Sequence, residues 1–312
     1  MSRKVFCAAL AVSALVVATA EAKQLKVLAI GNSFSLSMMQ ELPKAAAACP
    51  DCELDVAHMM IGGCTLERHW SNVEKASNPK FRPYSISSSY AFDKETAAKF
   101  PKKANIPEML TADKWDVVTI QQGSQHSAFP EKYEPFAGKL IAKIRELAPQ
   151  AQVWIQETWS YSPYSARLAG WKMTPQTMYE ALRAAYAGTA AKYSLKTIPT
   201  GDAVALYRAK LPVDYKKVLT AAEREALAPQ TKVDFYGDVT GSFSWRKKDG
   251  KMGLRIDAHH LNAEGKYLQA CVWLAALFDV DVTKLPYEPQ IEGFAERAKL
   301  MRACAAEACR TK

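Results

Sequence analysis

The segment Gly31-Asn32-Ser33-Phe34-Ser35 follows directly on the apolar run Leu25–Ile30, and Asp257-Ala258-His259-His260 stands near the far end of the chain. A serine hydroxyl is a weak nucleophile near neutral pH unless an adjacent base takes its proton. His260 is the residue type for that base. Asp257, three positions earlier, is the type that orients an imidazole and stabilises its charged form. Attack on an ester carbonyl also creates an oxyanion, which needs donors fixed beforehand. The sequence offers three candidates. They are the backbone N–H of Ser33, the N–H of Gly63 in Gly62-Gly63, where the missing Cβ permits close approach, and the side-chain amide of Gln122 in Gln121-Gln122-Gly123-Ser124. The pattern predicts acyl-ester chemistry through an acyl-serine, with no metal and no organic cofactor required. His58, His69 and His126 are scattered without ligand spacing, and adjacent His259 and His260 point to opposite sides of an extended chain.

Residues so far apart in sequence need a fold that gathers them. Strand patterns run over Leu25–Ile30, Leu54–Met60, Asp116–Gln121, Gln152–Gln156 and Lys196–Pro199. Helical patterns run over Leu36–Cys49, Thr65–Lys75, Lys132–Leu147, Thr174–Tyr193, Asp202–Lys210, Asn262–Phe278 and Ile291–Cys309. Alternation of the two predicts an α/β fold, a mainly parallel five-stranded sheet inside a three-layer α/β/α sandwich. Loops after the strands of such a sheet emerge at its carboxyl edge, where ligands bind. Ser33, Gly62-Gly63 and Gln121-Gln122 follow the first three strands, and Asp257 and His260 are expected on a loop before the last helix against the sheet. Glu157 and Trp159, at the end of the fourth strand, are candidates for a substrate-binding rim, with Trp70 and Tyr161 as further aromatic candidates. Two stretches, 77–105 and 214–255, break the alternation and read as insertions. The second carries a charged helix and a hairpin turning at Asp249-Gly250, placed to cover the site.

The chain has 312 residues, with 41 Lys and Arg against 32 Asp and Glu and a formal charge of +9. The basic residues are spread out and no nucleic-acid motif accompanies them, so nucleic acid is not an expected partner. Residues 1–22 read as a secretory signal: Arg3-Lys4, the apolar Val5–Ala18, then the small-x-small Ala20-Glu21-Ala22. Cleavage after Ala22 leaves Lys23–Lys312 as one domain, periplasmic or extracellular, with no stable membrane insertion. Cys49, Cys52, Cys64, Cys271, Cys304 and Cys309 remain, an even number in an exported chain. Cys49-Pro-Asp-Cys52 ends a helical pattern, whereas a redox pair begins one, so a structural disulfide is expected there. Cys304 and Cys309 are a second candidate pair, and connectivity stays open.

These blocks resemble the SGNH (GDSL-like) hydrolase superfamily, in particular an exported branch with Gly-Asn-Ser-Phe in its first block. The resemblance spans Leu25 to about Phe278, apart from the two inserts. By it, Ser33 matches the nucleophile, Gly63 the block II glycine, and Asp257 and His260 the block V Asp-x-x-His. Block III departs from the usual Gly-x-Asn-Asp. Ile120-Gln121-Gln122-Gly123-Ser124-Gln125 is similar instead to the Gln-Gly block of carbohydrate acetylesterases in the superfamily, which places Gln122 as the oxyanion amide. The resemblance implies a flavodoxin-like sandwich and a small acyl ester as substrate, acetyl on a glycan. An acyltransferase to a sugar hydroxyl and a non-catalytic glycan-binding module on the same fold are the alternatives.

Overall fold

A strand buried on both faces needs a continuous apolar run, and Val27-Leu28-Ala29-Ile30 is fully buried at the centre of the main sheet. The computed structural model describes residues 21–211, 218–227, 233–235 and 237–310. The expected signal therefore lies outside the described residues except for its last two positions, as do parts of the 214–255 stretch. The main sheet contains β1 (Lys23–Gly31), β2 (Cys52–Met60), β3 (Tyr84–Tyr90), β4 (Lys103–Ala104), β5 (Val117–Ile120), β6 (Gln152–Gln156) and β7 (Lys196–Ile198). Its order is β4-β3-β2-β1-β5-β6-β7. The five expected strands all form, and they are the parallel ones. Their order, second-first-third-fourth-fifth, is the flavodoxin-like one, with the crossover direction reversing beside β1, whose carboxyl end carries Ser33.

The sheet has seven strands rather than five. The stretch 77–105, expected as an insertion, folds back as β3 and β4, both antiparallel on the β2 edge. Its Ser85–Ser89 sequence is polar because β4 pairs only with the start of β3 and leaves the rest of it half in solvent. Asp55 of β2 secures the far end of β3 by accepting the N–H groups of Ala91, Phe92 and Asp93 at 2.6, 3.0 and 3.0 Å.

The crossovers on either side of β1 run in opposite directions and so lay helices on both faces. One layer groups helices Leu42–Ala47, Thr200–Lys210, Ala263–Phe278 and Ala295–Arg310; the other groups Leu66–Glu74, Ile106–Leu110 and Phe136–Leu147. The helix expected over Leu36–Cys49 is broken into Ser33–Leu36, a 3-10 turn Ser37–Gln40, and Leu42–Ala47. Pro43 cannot donate the N–H that a continuous helix would need. The six cysteines among the described residues are free thiols in this structure, including Cys49 and Cys52. Cys304 and Cys309 lie five residues apart on one helix, so they point to different faces and cannot bridge. No helix among the described residues is long and apolar enough to cross a membrane.

A second sheet, β10-β9-β8, is antiparallel: β8 (Val233–Asp234), β9 (Thr240–Lys248) and β10 (Lys251–Leu261). Asp249 and Gly250 form its hairpin turn, with φ of 50° and 80°. Two positive φ values are what an Asp-Gly turn between twisted strands requires. Asp257 and His260 are not on a loop. They lie at the end of β10, where the register with β9 shifts between Asp257 and Leu261. Such a bulge re-aims side chains out of the ladder. Arg208 fastens this region to the body of the fold. Its Nε and Nη2 donate to the Asp238 carboxylate at 3.0 and 3.2 Å, its Nη1 to Ser160 Oγ at 2.8 Å, and its Nη2 to Thr240 Oγ1 at 2.7 Å.

Candidate active site

Asn32 ends β1 and caps the short helix Ser33–Leu36, its Oδ1 accepting the Phe34 N–H at 2.9 Å. The same oxygen accepts from Gln121 Nε2 at 2.7 Å, and Asn32 Nδ2 donates to the Cys64 carbonyl at 3.0 Å. One buried side chain thus ties the loops after β1, β2 and β5 together, leaving half-buried Ser33 at the first helical position. Gly31 is required just before it, since a Cβ there would run into Ser35 Oγ. Ser35 in turn holds His58 Nε2 at 2.7 Å, and Ser37 donates to Gln269 Oε1 at 2.6 Å on the helix behind.

Ser33 Oγ lies 2.9 Å from His260 Nε2, and His260 Nδ1 lies 2.9 Å from Asp257 Oδ2. Asp257 Oδ1 accepts the N–H groups of His259 and His260 at 3.1 and 3.2 Å, which fixes the carboxylate within the bulge. Burial pushes the Asp257 carboxyl up, but the His260 hydrogen bond and charge and the two backbone donors outweigh it, and the group is held well below the usual carboxylate range. An ionised Asp257 can only accept, so Nδ1 carries the proton and Nε2 is free to accept from the Ser33 hydroxyl.

A pocket of about 430 Å³ opens over this array, lined by Ser33, Gly63, Gln125, Tyr161, Arg167 and His259 among others. Gly63 adopts φ +59°, a left-handed conformation that suits glycine. None of the described hydrogen bonds takes the N–H of Ser33 or of Gly63. His259 turns away from His260 to Ser165 Oγ at 2.9 Å and is pushed down to about 4 by burial and by the Arg167 guanidinium. A larger cavity, about 910 Å³, lies among the strand starts Lys23, Val117 and Gln152 and holds no serine or histidine.

Three expected site residues stand elsewhere. Gln122 is fully buried and its amide is tied into the loops: Oε1 accepts the N–H groups of Leu66 and Gly123 at 3.0 and 2.9 Å, and Nε2 donates one N–H to the Lys132 carbonyl at 2.9 Å. It sets the loop geometry beside Gly63 and does not line the pocket over Ser33. Glu157 and Trp159 do not form a rim, because both are fully buried. Glu157 Oε2 accepts the Asp202 N–H at 3.0 Å. Trp159 stacks on Phe34 with ring centroids 4.3 Å apart and donates to the His259 carbonyl at 2.8 Å, so it supports the site from below. The nearby amide that faces the pocket is that of Gln125. It lines the pocket, and its Nε2 donates one N–H to the Gly63 carbonyl at 3.0 Å, leaving the other. Asn32 is the other residue the sequence reading passed over. Asparagine directly before a helix start is a capping signal that could have found it. Among the described residues no group of three or more His, Cys, Asp or Glu is placed to hold a metal ion.

A family model described as "Domain of unknown function (DUF4886)" matches residues 26–208. The match takes in Ser33, Gly63, Gln125 and Arg167 and stops before the β-hairpin that carries Asp257 and His260. The crystal structure of a DUF4886 family protein from Bacteroides uniformis has the same fold, with a TM-score of 0.68 at 24% identity over 92% of this chain and 95% of that one. Two further solved structures also match. One, from Slackia heliotrinireducens, is provisionally described as an SGNH hydrolase: 20% identity over 80% of this chain and 97% of that one, TM-score 0.45. The other, from Parabacteroides merdae, is provisionally described as a GDSL-like lipase: 13% identity over 94% and 99%, TM-score 0.40. Curated proteins give no match.

Proposed function

The chain belongs to the DUF4886 family, and we propose that it is an exported serine esterase that removes a small acyl group, acetyl foremost, from a carbohydrate. One observation carries the reading: Asp257, His260 and Ser33 form a relay with 2.9 Å at each step, opening on a pocket. Ser33 Oγ adds to the ester carbonyl as its proton passes to His260 Nε2. The tetrahedral oxyanion is met by the N–H groups of Ser33 and Gly63 and by the remaining N–H of Gln125. His260 then gives its proton to the departing sugar oxygen as the C–O bond breaks, leaving acetyl-Ser33. Water attacks that ester, its proton passing through His260 back to Ser33 Oγ, and acetate leaves. The His260 side chain is 47% exposed, so water has access to the acyl-enzyme. That supports hydrolysis over transfer to a second sugar, which works best where water is kept out. The carbohydrate part rests on the Gln-Gly block, and the export part on the leader-like first 22 residues.

A fluorophosphonate probe is expected to modify the purified protein once, on the tryptic peptide containing Ser33, and His260→Ala is expected to suppress the labelling. Labelling of a different serine, or none, would remove Ser33 from the mechanism. The two glutamines are expected to separate cleanly. Gln125→Ala should lower kcat on 4-nitrophenyl acetate by about 10²-fold or more, the usual loss for one oxyanion donor, with KM little changed. Gln122→Ala should act first on stability, by about 1–3 kcal/mol, because it strands buried backbone groups. Kinetics and thermal melts of both variants check this, and the reverse pattern would return the oxyanion role to Gln122.

A further inference from the structure

Among the described residues, the pocket over Ser33 is lined by no carboxylate and by one permanent cation. Arg167 stands on the short helix Ala166–Gly170, on the same lining as Gln125, Tyr161 and His259. Among the described residues no Asp or Glu pairs with it, whereas Arg208, Arg297 and Arg302 are each paired with a carboxylate. The Tyr161 hydroxyl donates to Ser124 Oγ at 2.9 Å, and Ser124, Tyr161 and Arg167 share one side of the lining as its polar groups. His259, the other titratable group on that wall, is pushed down to about 4 by burial and by Arg167, so it is uncharged at neutral pH. Asp257 lies behind His260 with its oxygens already engaged. A substrate entering the pocket therefore meets a fixed positive charge and no negative one. The formal charge of the whole chain, +9, has the same sign and favours encounter with anionic material.

We propose that Arg167 recognises a carboxylate on the ester substrate. The proposal rests on the esterase reading and narrows its substrate class to acidic esters. A guanidinium donates two parallel N–H bonds to a carboxylate, a geometry no neutral hydroxyl reproduces. The carboxylate can stand on the sugar, as in an acetylated uronate, or at the end of the acyl chain, as in a hemisuccinate.

Two substrate pairs distinguish these sources. Acetylated methyl glucuronoside and acetylated methyl glucoside differ in a carboxylate against CH₂OH, and 4-nitrophenyl hemisuccinate and 4-nitrophenyl butyrate differ in a carboxylate against a methyl. The wild-type protein should prefer the charged member of one pair by about tenfold in kcat/KM, chiefly through KM, as expected for one charge-assisted contact at an exposed site. The preference should shrink at 0.5 M NaCl, because an exposed charge is screened. Arg167→Gln should bring the charged-to-neutral ratio to about one, and Arg167→Lys should restore part of it. No discrimination within either pair, or an unchanged ratio in Arg167→Gln, would overturn the proposal. Binding without turnover separates this from the esterase reading. Ser33→Ala protein should bind methyl glucuronoside more tightly than methyl glucoside, or monomethyl succinate more tightly than methyl butyrate, and the double variant with Arg167→Gln should not. If no ester is turned over and that difference persists, the anion site stands without the esterase; equal binding in both comparisons overturns the anion site itself.

Discussion

Ser33→Ala is expected to lower kcat on 4-nitrophenyl acetate by about 10⁴- to 10⁶-fold, the range over which serine triads lose activity when the nucleophile is removed. Alanine takes away the oxygen held 2.9 Å from His260 Nε2 and leaves the oxyanion donors and the pocket in place. The residue of activity should be what those donors give an attacking water. Asp257→Asn is the companion test. An amide can donate where the carboxylate only accepted, so the tautomer that frees Nε2 is no longer enforced, and a loss of about 10⁴-fold is expected. The fold should tolerate this change, because the asparagine Oδ1 can still accept the His259 and His260 N–H groups that hold the bulge. Residues that act as a unit do not add. The double variant should therefore be about as slow as Ser33→Ala alone, with melting temperatures close to wild type throughout. Losses that multiply, or a Ser33→Ala protein that keeps its rate, would mean that these side chains are neighbours without being a relay.

The parts of this arrangement that were legible in the sequence are those whose cause is local. The apolar run of β1 followed by Gly31 gave both the central strand and the place of Ser33. The helical patterns beginning at Thr65, Thr174 and Asn262 start at capping residues, and Asp249-Gly250 marked its hairpin. What escaped depends on partners far along the chain. The Ser85–Ser89 strand is polar and takes its structure from the ladders with β2 and β4. Asp257 and His260 read as a loop because a bulge is a matter of register with β9, which no single segment reveals. Gln122 and Gln125 are chemically identical, and only the turn after β5 decides which amide is consumed by Leu66, Gly123 and Lys132 and which faces the pocket. Trp159 looked like a rim residue because aromatic side chains suit sugars; Phe34 and the His259 carbonyl take both its face and its N–H.

Stability is expected to fall steeply as pH is lowered from about 6.5 toward 4, well before most carboxylates titrate. His58 and His69 are both fully buried. Burial, reinforced by the charge of His69 on His58 and of Arg68 on His69, pushes each imidazole down to about 3. The geometry agrees: His58 Nδ1 and His69 Nε2 are buried without a partner, so an added proton would have no acceptor. In the unfolded chain both rings take up protons near pH ~6.5. The unfolded form therefore binds more protons throughout the window, and stability is lost as pH falls through it. Each histidine contributes a slope of about 1.4 kcal/mol per pH unit. The two together give about 3, and half-buried His259 adds to them in the same direction. Against a total stability of about 5–15 kcal/mol, two units of acidification remove much of the margin. Asp55, whose carboxyl is raised by burial, works the other way, but only nearer the carboxylate range. Melting temperatures at pH 7.5, 6.5, 5.5 and 4.5 should drop progressively, and His58→Gln should flatten the dependence by about one proton. A melting temperature that stays level between pH 7 and 5 would contradict the neutral burial of these rings. Because Ser35 bonds both His58 and the carbonyl of Asn32, the acid-sensitive core and the Ser33 turn are one structure. Activity lost in that window should therefore track the loss of fold.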